Sequence, residues 1–175
     1  ALLAGAAQLQ TAIADRVDAN QVATLARDLA GQLLAVYPVA LSPKQPPNLA
    51  RGQQLYAEQC AGCHGADGHG DGPLARQLEP KPVAFSDVTR ARERSLFALY
   101  QVVTQGLDGT AMPSFAQLPD TDRWALAFTV GQFAYPQAEA GEALWKDDAA
   151  LHSVLPDMDA LTTLTPAALA GKVGS

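Results

Sequence analysis

The 175-residue sequence has only two cysteines, few aromatic residues and no long apolar segment. Two cysteines cannot build a disulfide framework, and no apolar run approaches the roughly 18 residues that a membrane-spanning helix requires. Acidic residues outnumber basic ones by 18 to 12, which argues against a nucleic-acid partner because phosphate contacts need Lys and Arg. With so few aromatic side chains, we expect another bulky apolar group to share the interior.

What is present is a series of helical patterns separated by loops rich in glycine and proline. Residues 1–37 predict a helical hairpin, because apolar side chains recur at helical spacing in both halves. Asp18 is the predicted N-cap of its second helix, and Pro38 is predicted to end that helix. The proline-rich residues 38–47 predict a stiff connector. Since no segment alternates convincingly with the period of a strand, we predict an all-α fold.

Residues 48–135 predict three further helices around a long loop. Asn48, Ser95 and Asp120 are the predicted N-caps of these helices. The stretch 62–82 is rich in glycine and proline and is predicted to be loop. Loops of this length inside a compact domain usually carry function, so we expect them to wrap a ligand.

The segment Cys60-Ala61-Gly62-Cys63-His64 has the C-x-x-C-H form typical of haem c attachment. Two thiols at this spacing can add to the two vinyl groups of the porphyrin, and the adjacent imidazole reaches the iron as the proximal ligand. A structural zinc site needs four protein ligands, and the sequence has no second C-x-x-C. A thioredoxin-like motif needs a βαβ setting, which no pattern indicates. The sequence therefore predicts one covalent haem c, held by Cys60, Cys63 and His64.

The second axial ligand of the iron must come from a short inventory. The candidates are His69, His152, Met112 and Met158. Met112 lies in a loop between two predicted helices, where Pro113 blocks helix formation and favours an extended backbone. His69 is too close to His64 in sequence to reach the opposite face of the ring. We predict Met112 as the distal ligand, with Met158 and simple core packing of Met112 as the alternatives.

Taken together, these elements resemble a class I cytochrome c over residues 48–135. The resemblance implies a class I cytochrome c fold, here with an N-terminal helical hairpin and a short C-terminal extension. It also implies that a glycine–aromatic contact joins the first and last helices, with Gly52 and Tyr56 against residues 124–128. In that family a proline carbonyl accepts a hydrogen bond from the proximal imidazole, and Pro73 matches this position.

A narrower resemblance is to the extracytoplasmic cytochrome c domains fused to bacterial high-affinity iron permeases. It implies a periplasmic domain, tethered to the inner membrane as part of a longer protein, that accepts the electron from Fe²⁺ oxidation during iron uptake. The permease's membrane helices and its Arg-Glu-x-x-Glu motif do not occur in these 175 residues. The segments that carry the resemblance are 70–73, 94–100, 104–106, 122–128 and 164–169.

Charge is unevenly distributed along the chain. Residues 76–94 hold five basic and three acidic side chains, which could neutralise haem propionates or dock a partner protein. The predicted C-terminal extension, residues 136–175, is acidic and contains His152. It could attract Fe²⁺, which accepts carboxylate and imidazole ligands, or it could be only a solvated surface. The loop residues Asp67, His69 and Asp71 allow the same two interpretations.

The function that these patterns favour is electron transfer. With His64 and Met112 both bound, the iron has no open coordination position, so we predict no catalytic residue. The partners expected are a redox partner protein or a respiratory electron acceptor. The alternatives are a generic electron-transfer cytochrome or the cytochrome subunit of a periplasmic dehydrogenase or oxidase. A peroxidase or gas sensor would require Met112 to leave the iron.

Overall fold

The fold is that of a computed structural model, which describes residues 2–37, 39–136 and 138–173, without the side chains of residues 138–140 and 142. Within these ranges the chain is helical and contains no strand, which confirms the all-α prediction. Pro38 lies outside the described residues. The α-helices are α1 Leu2–Ala14, α2 Ala19–Val36, α3 Leu49–Gln59, α4 Ala61–His64, α5 Val88–Ala91, α6 Leu96–Gln105, α7 Asp120–Gln132, α8 Ala138–Asp147, α9 Ala149–Val154, α10 Met158–Thr163 and α11 Pro166–Val173, and a 3₁₀ turn spans Ala75–Gln77.

The chain divides into two compact units, Ala1–Ala40 and Leu41–Ser175. In the first, α1 and α2 pack against each other as the predicted hairpin. The carboxylate of Asp18 accepts a hydrogen bond from the backbone N–H of Asn20 and caps α2. None of the described helices is both long enough and apolar enough to cross a bilayer. The predicted domain boundaries after residues 47 and 135 stay predictions.

The core of the second unit forms where α3 crosses α7. A side-chain carbon at Gly52 would overlap the backbone of Ala125 and the hydroxyl of Thr129, so only glycine allows the two helices to approach this closely. Tyr56 lies one turn later in α3 and packs on Phe133, with ring centroids 4.7 Å apart. The expected contact of Gly52 with residues 124–128 is confirmed at Ala125, and Tyr56 belongs to the same core cluster as Leu126, while its ring partner Phe133 lies just beyond that segment.

Two of the three predicted caps in this unit are confirmed. The side chain of Asn48 accepts from the N–H of Arg51, and that of Ser95 accepts from the N–H of Ala98. Pro119 takes the cap position of α7, so the prediction for Asp120 is wrong by one residue. Instead, the Asp120 carboxylate accepts a hydrogen bond of 2.6 Å from the Tyr100 hydroxyl and thereby ties α6 to α7.

Candidate functional site

The C-x-x-C-H segment lies where α3 ends and the short helix α4 begins. Cys60 is the residue between the two helices, and its thiol and that of Cys63 are half-buried and unpaired. The buried Tyr56 hydroxyl donates a 2.8 Å hydrogen bond to the Gly65 carbonyl, which fixes the chain as it leaves the segment. Burial, and secondarily the neighbouring Cys63, raises the pKa of Cys60 to about 11. Both thiols are thus presented on a rigid helical junction, and that of Cys60 is protonated at neutral pH.

The His64 imidazole is buried and has a defined hydrogen-bond partner. Its Nδ1 lies 3.1 Å from the carbonyl oxygen of Val83. Because a carbonyl can only accept, Nδ1 carries the proton and Nε2 keeps its lone pair. Burial lowers the pKa of His64, although the bond to Val83 opposes this shift. A neutral imidazole with a free Nε2 is the form that binds a metal.

The expectation that Pro73 supplies the carbonyl for His64 is wrong. Val83 supplies it, and Pro73 is exposed. The residues on either side of Pro73 donate their N–H groups to the motif backbone: Gly72 to Cys63, and Leu74 to Gly62. This stretch therefore satisfies two free carbonyls of α4, and the carbonyl that meets the imidazole comes ten residues after Pro73.

Met112 lies in a loop between α6 and α7 that is fixed by its own backbone. The N–H of Leu107 donates to the carbonyl of Met112, and the Met112 N–H donates to the Thr110 hydroxyl, both at 3.1 Å. Gly106, which ends α6, has a φ of +74°, and a side chain there would come within 2.7–2.8 Å of residues 112–114. The loop thus folds directly back onto the end of α6.

A hydrogen-bond network centred on Thr104 connects this loop to α7. The Thr104 carbonyl accepts from the Ser114 hydroxyl at 2.7 Å, and the Thr104 hydroxyl accepts from the Arg123 guanidinium at 2.9 Å. The same guanidinium lies 5.1 Å from the centre of the Tyr100 ring, a cation–π distance. Sequence reasoning assigned no role to Ser114 or Arg123, because their bonds to Thr104 join residues that are 10 and 19 positions apart.

The two thiols, the imidazole and the thioether line one cavity of about 320 Å³. The remaining lining is largely apolar and comes from residues 78–85 and from the Met112 loop. Two thiols, one neutral imidazole and one thioether are the donor set that a c-type haem uses. The residues present therefore fit a covalently attached c-type haem.

The other candidate ligands lie elsewhere. His69 lines a separate cavity with Asp67 and Tyr56, and the Nε2 of His152 contacts the Trp145 carbonyl. Met158 begins α10 and is absent from the cavity lining. Among the residues whose side chains are described, no group of three or more His, Cys, Asp or Glu could hold a metal ion.

Comparisons with known proteins found three similarities. Residues 47–127 match the family described as cytochrome C oxidase, cbb3-type, subunit III. A 34-residue stretch is 53% identical to a thiosulfate dehydrogenase of Stutzerimonas stutzeri strain A1501, covering 19% of this chain and 11% of that protein. A chain of the Kuenenia stuttgartiensis reducing HAO-like protein complex is 31% identical, with a TM-score of 0.50, over 68% of this chain and 62% of that one.

The family match and the helical fold show that this chain contains a cytochrome c electron-transfer domain with a covalently bound c-type haem. More narrowly, residues 47–127 are similar to the cbb3-type cytochrome c family. Cytochrome c domains of this type are extracytoplasmic. The chain spans less than two thirds of the length of either relative.

Proposed function

We propose that Cys60 and Cys63 form the two thioether bonds to the haem and that His64 and Met112 are its axial ligands. The observation that carries this proposal is that all four side chains line one cavity. The haem supplies a one-electron couple. With both axial positions filled by the chain, the iron has no position left for a substrate, and the domain carries electrons without catalysing a reaction.

In this function the protein orients the haem and keeps water from it. The Val83 carbonyl holds the imidazole in the tautomer that binds iron, and the Thr104 network holds the loop of Met112 in place. Methionine ligation favours Fe(II) and raises the reduction potential relative to two histidines. We therefore expect the domain to accept electrons from a donor of low potential.

Exposure of the reduced protein to carbon monoxide tests the axial assignment. We expect no change in the absorption spectrum, because Met112 occupies the position that the gas would take. Rapid binding would contradict the proposal and favour a peroxidase or a gas sensor. A Met112→Ala variant is the positive control, since its open position should bind the gas.

The partner proposed is a redox protein that works together with this domain. The relatives support this, because one is named as a dehydrogenase and the other as part of a protein complex. The domain would relay electrons from such an oxidoreductase to a respiratory acceptor. Co-purification from the native membrane and periplasmic fractions, followed by reduction of the haem with the partner's substrate, tests this role.

Oxidation of Fe²⁺ during iron uptake by a membrane-tethered protein is a second proposal. It is supported by the short segments that resemble iron-permease cytochrome domains, among them residues 94–100 and 122–128. Stopped-flow mixing of the oxidised protein with Fe²⁺ tests it, with ascorbate as the control reductant. If ascorbate reduces the haem and Fe²⁺ does not, the iron-uptake proposal is wrong and the general electron-transfer role is unaffected.

A further inference from the structure

The cavity that the C-x-x-C-H segment lines adjoins a second, larger cavity. The second cavity measures about 530 Å³ and is predominantly apolar. Five residues line both cavities: Val83, Phe85, Arg90, Val102 and Leu107. The two cavities are therefore neighbours that share part of their lining.

The far side of the second cavity is formed by the C-terminal extension. The lining residues from this part of the chain are Leu155, Leu161, Leu164, Thr165, Pro166 and Leu169. All of them except Leu155 follow Asp159, the last acidic residue of the sequence, and all lie outside the segment that matches the cytochrome family, which ends at residue 127. The interpretation of the whole extension as a solvated acidic surface does not hold for these residues, because they close an apolar space.

The extension is anchored in this position by buried contacts. The Thr162 side chain is fully buried, and its hydroxyl lies 2.8 Å from the Leu41 carbonyl. The N–H of Ala167 donates a 2.9 Å hydrogen bond to the Arg92 carbonyl, and α10 packs on α6. These contacts tie the extension to the connector at Leu41, to Arg92 and to α6, so the wall is a built part of the fold.

The lining of the second cavity also includes positively charged side chains, which suit the carboxylates at one edge of a haem. Arg90 and Arg94 line it, and both side chains are exposed. A haem combines an apolar ring with two carboxylates, and guanidinium groups form strong charge-assisted hydrogen bonds with carboxylates. An apolar space with two arginines at its edge therefore complements the part of the ring that lies away from the thioether bonds.

We propose that the two cavities form a single haem pocket and that residues 155–169 are its outer wall. The wall keeps water from the haem edge opposite Cys60 and Cys63. Because Fe(III) carries one more positive charge than Fe(II), exclusion of water disfavours the oxidised form and raises the reduction potential. The C-terminal extension is thus a device that sets the potential of this cytochrome.

Methyl NMR of the wild-type holoprotein tests the proposal without any change to the wall. We expect the leucine methyl groups of Leu164 and Leu169 to shift strongly between the oxidised and reduced states, because an oxidised haem iron is paramagnetic. Leu144 is the internal control, since it belongs to the same extension, is 59% exposed and lines neither cavity. Shifts at Leu164 and Leu169 no larger than that at Leu144 would overturn the proposal.

A matched pair of variants measures the effect on the haem itself. Leu164→Asn places a polar group in the wall, whereas Leu144→Asn makes the same change outside it. We expect the reduced-to-oxidised ratio at a fixed solution potential to fall several-fold in Leu164→Asn and to stay unchanged in Leu144→Asn. Equal reduced-to-oxidised ratios in folded Leu164→Asn and Leu144→Asn holoproteins would overturn the proposal. If Leu164→Asn does not fold, the NMR measurement on the wild type decides.

Discussion

His64 and Met112 face the same cavity from backbone segments that are held in different ways. His64 belongs to a continuous run of five residues on a helical junction, and one carbonyl, that of Val83, orients its ring. Met112 belongs to an irregular loop whose position depends on Gly106 and on contacts from α6 and α7. The comparison teaches that the spacing of the proximal donors is specified locally, whereas the position of the distal donor depends on tertiary packing. Substitutions on the two sides should therefore have different effects on haem retention and on the spectrum and potential of the haem.

The largest difference is expected when the ligands themselves are removed. His64→Ala should abolish stable holoprotein, because the imidazole is the anchor beside both thiols. Met112→Ala should keep the covalent haem and change its potential and spectrum. Haem-stained gels and absorption spectra of the two variants check this. Equal loss of haem in both would show that the two sides do not differ as we describe.

A substitution at Gly106 should disturb the Met112 loop and leave the proximal side unchanged. Gly106→Ala should lower the free energy of unfolding by about 2–3 kcal/mol, because a methyl group there overlaps the backbone of residues 112–114. Gly109→Ala is the matched control, since Gly109 has the same φ of +74° but no heavy atom within 4 Å of an added carbon. Denaturant unfolding of the two holoproteins measures both losses of unfolding free energy. Equal losses would show that the positive φ alone causes the loss and that the overlap with residues 112–114 does not contribute.

The arginine of the Thr104 network should have a smaller effect. Arg123→Met keeps the bulk of the side chain but removes its bond to Thr104 and its cation–π contact with Tyr100. We expect a loss of about 1–2 kcal/mol in unfolding free energy. The pH at which Met112 is displaced from the iron should also fall, as followed by the methionine–iron charge-transfer band. An unchanged pH of displacement would show that Arg123 does not hold the Met112 loop in place.

Two hydroxyl groups, one on each side, give the smallest and sharpest comparison. Tyr56→Phe removes the bond to Gly65, whereas Ser114→Ala removes the bond to Thr104 and the one that the hydroxyl accepts from the N–H of Ala116. Each should cost about 1 kcal/mol of unfolding free energy. Only Ser114→Ala should lower the pH of methionine displacement. A similar shift in Tyr56→Phe would contradict the separation of the two sides.

The difference between the sides also explains what the sequence could predict. Cys60, Cys63 and His64 are adjacent, so their spacing alone indicates haem attachment. Met112 could be selected because few ligand residues exist and because Pro113 excludes a helix. The helix caps at Asn48 and Ser95 could be predicted since a cap involves only neighbouring residues.

The features that the sequence did not predict are tertiary. Which carbonyl meets His64 depends on the path of an irregular loop, and Val83 takes the place expected for Pro73. The partner of Tyr56 depends on how far α3 has passed its crossing with α7. The apolar wall of residues 155–169 could not be predicted because acidic residues before it and within it, such as Asp157 and Asp159, dominate the charge of the extension.

The axial ligation by His64 and Met112 is tested most directly by proton NMR of the reduced holoprotein. A methionine methyl group bound to haem iron lies over the ring, so its three-proton signal is displaced far upfield by the ring current. We expect this signal in the wild type and in a Met158→Ala variant, and we expect it to vanish in Met112→Ala. A signal that persists in Met112→Ala, or its absence from the wild type, would contradict the account.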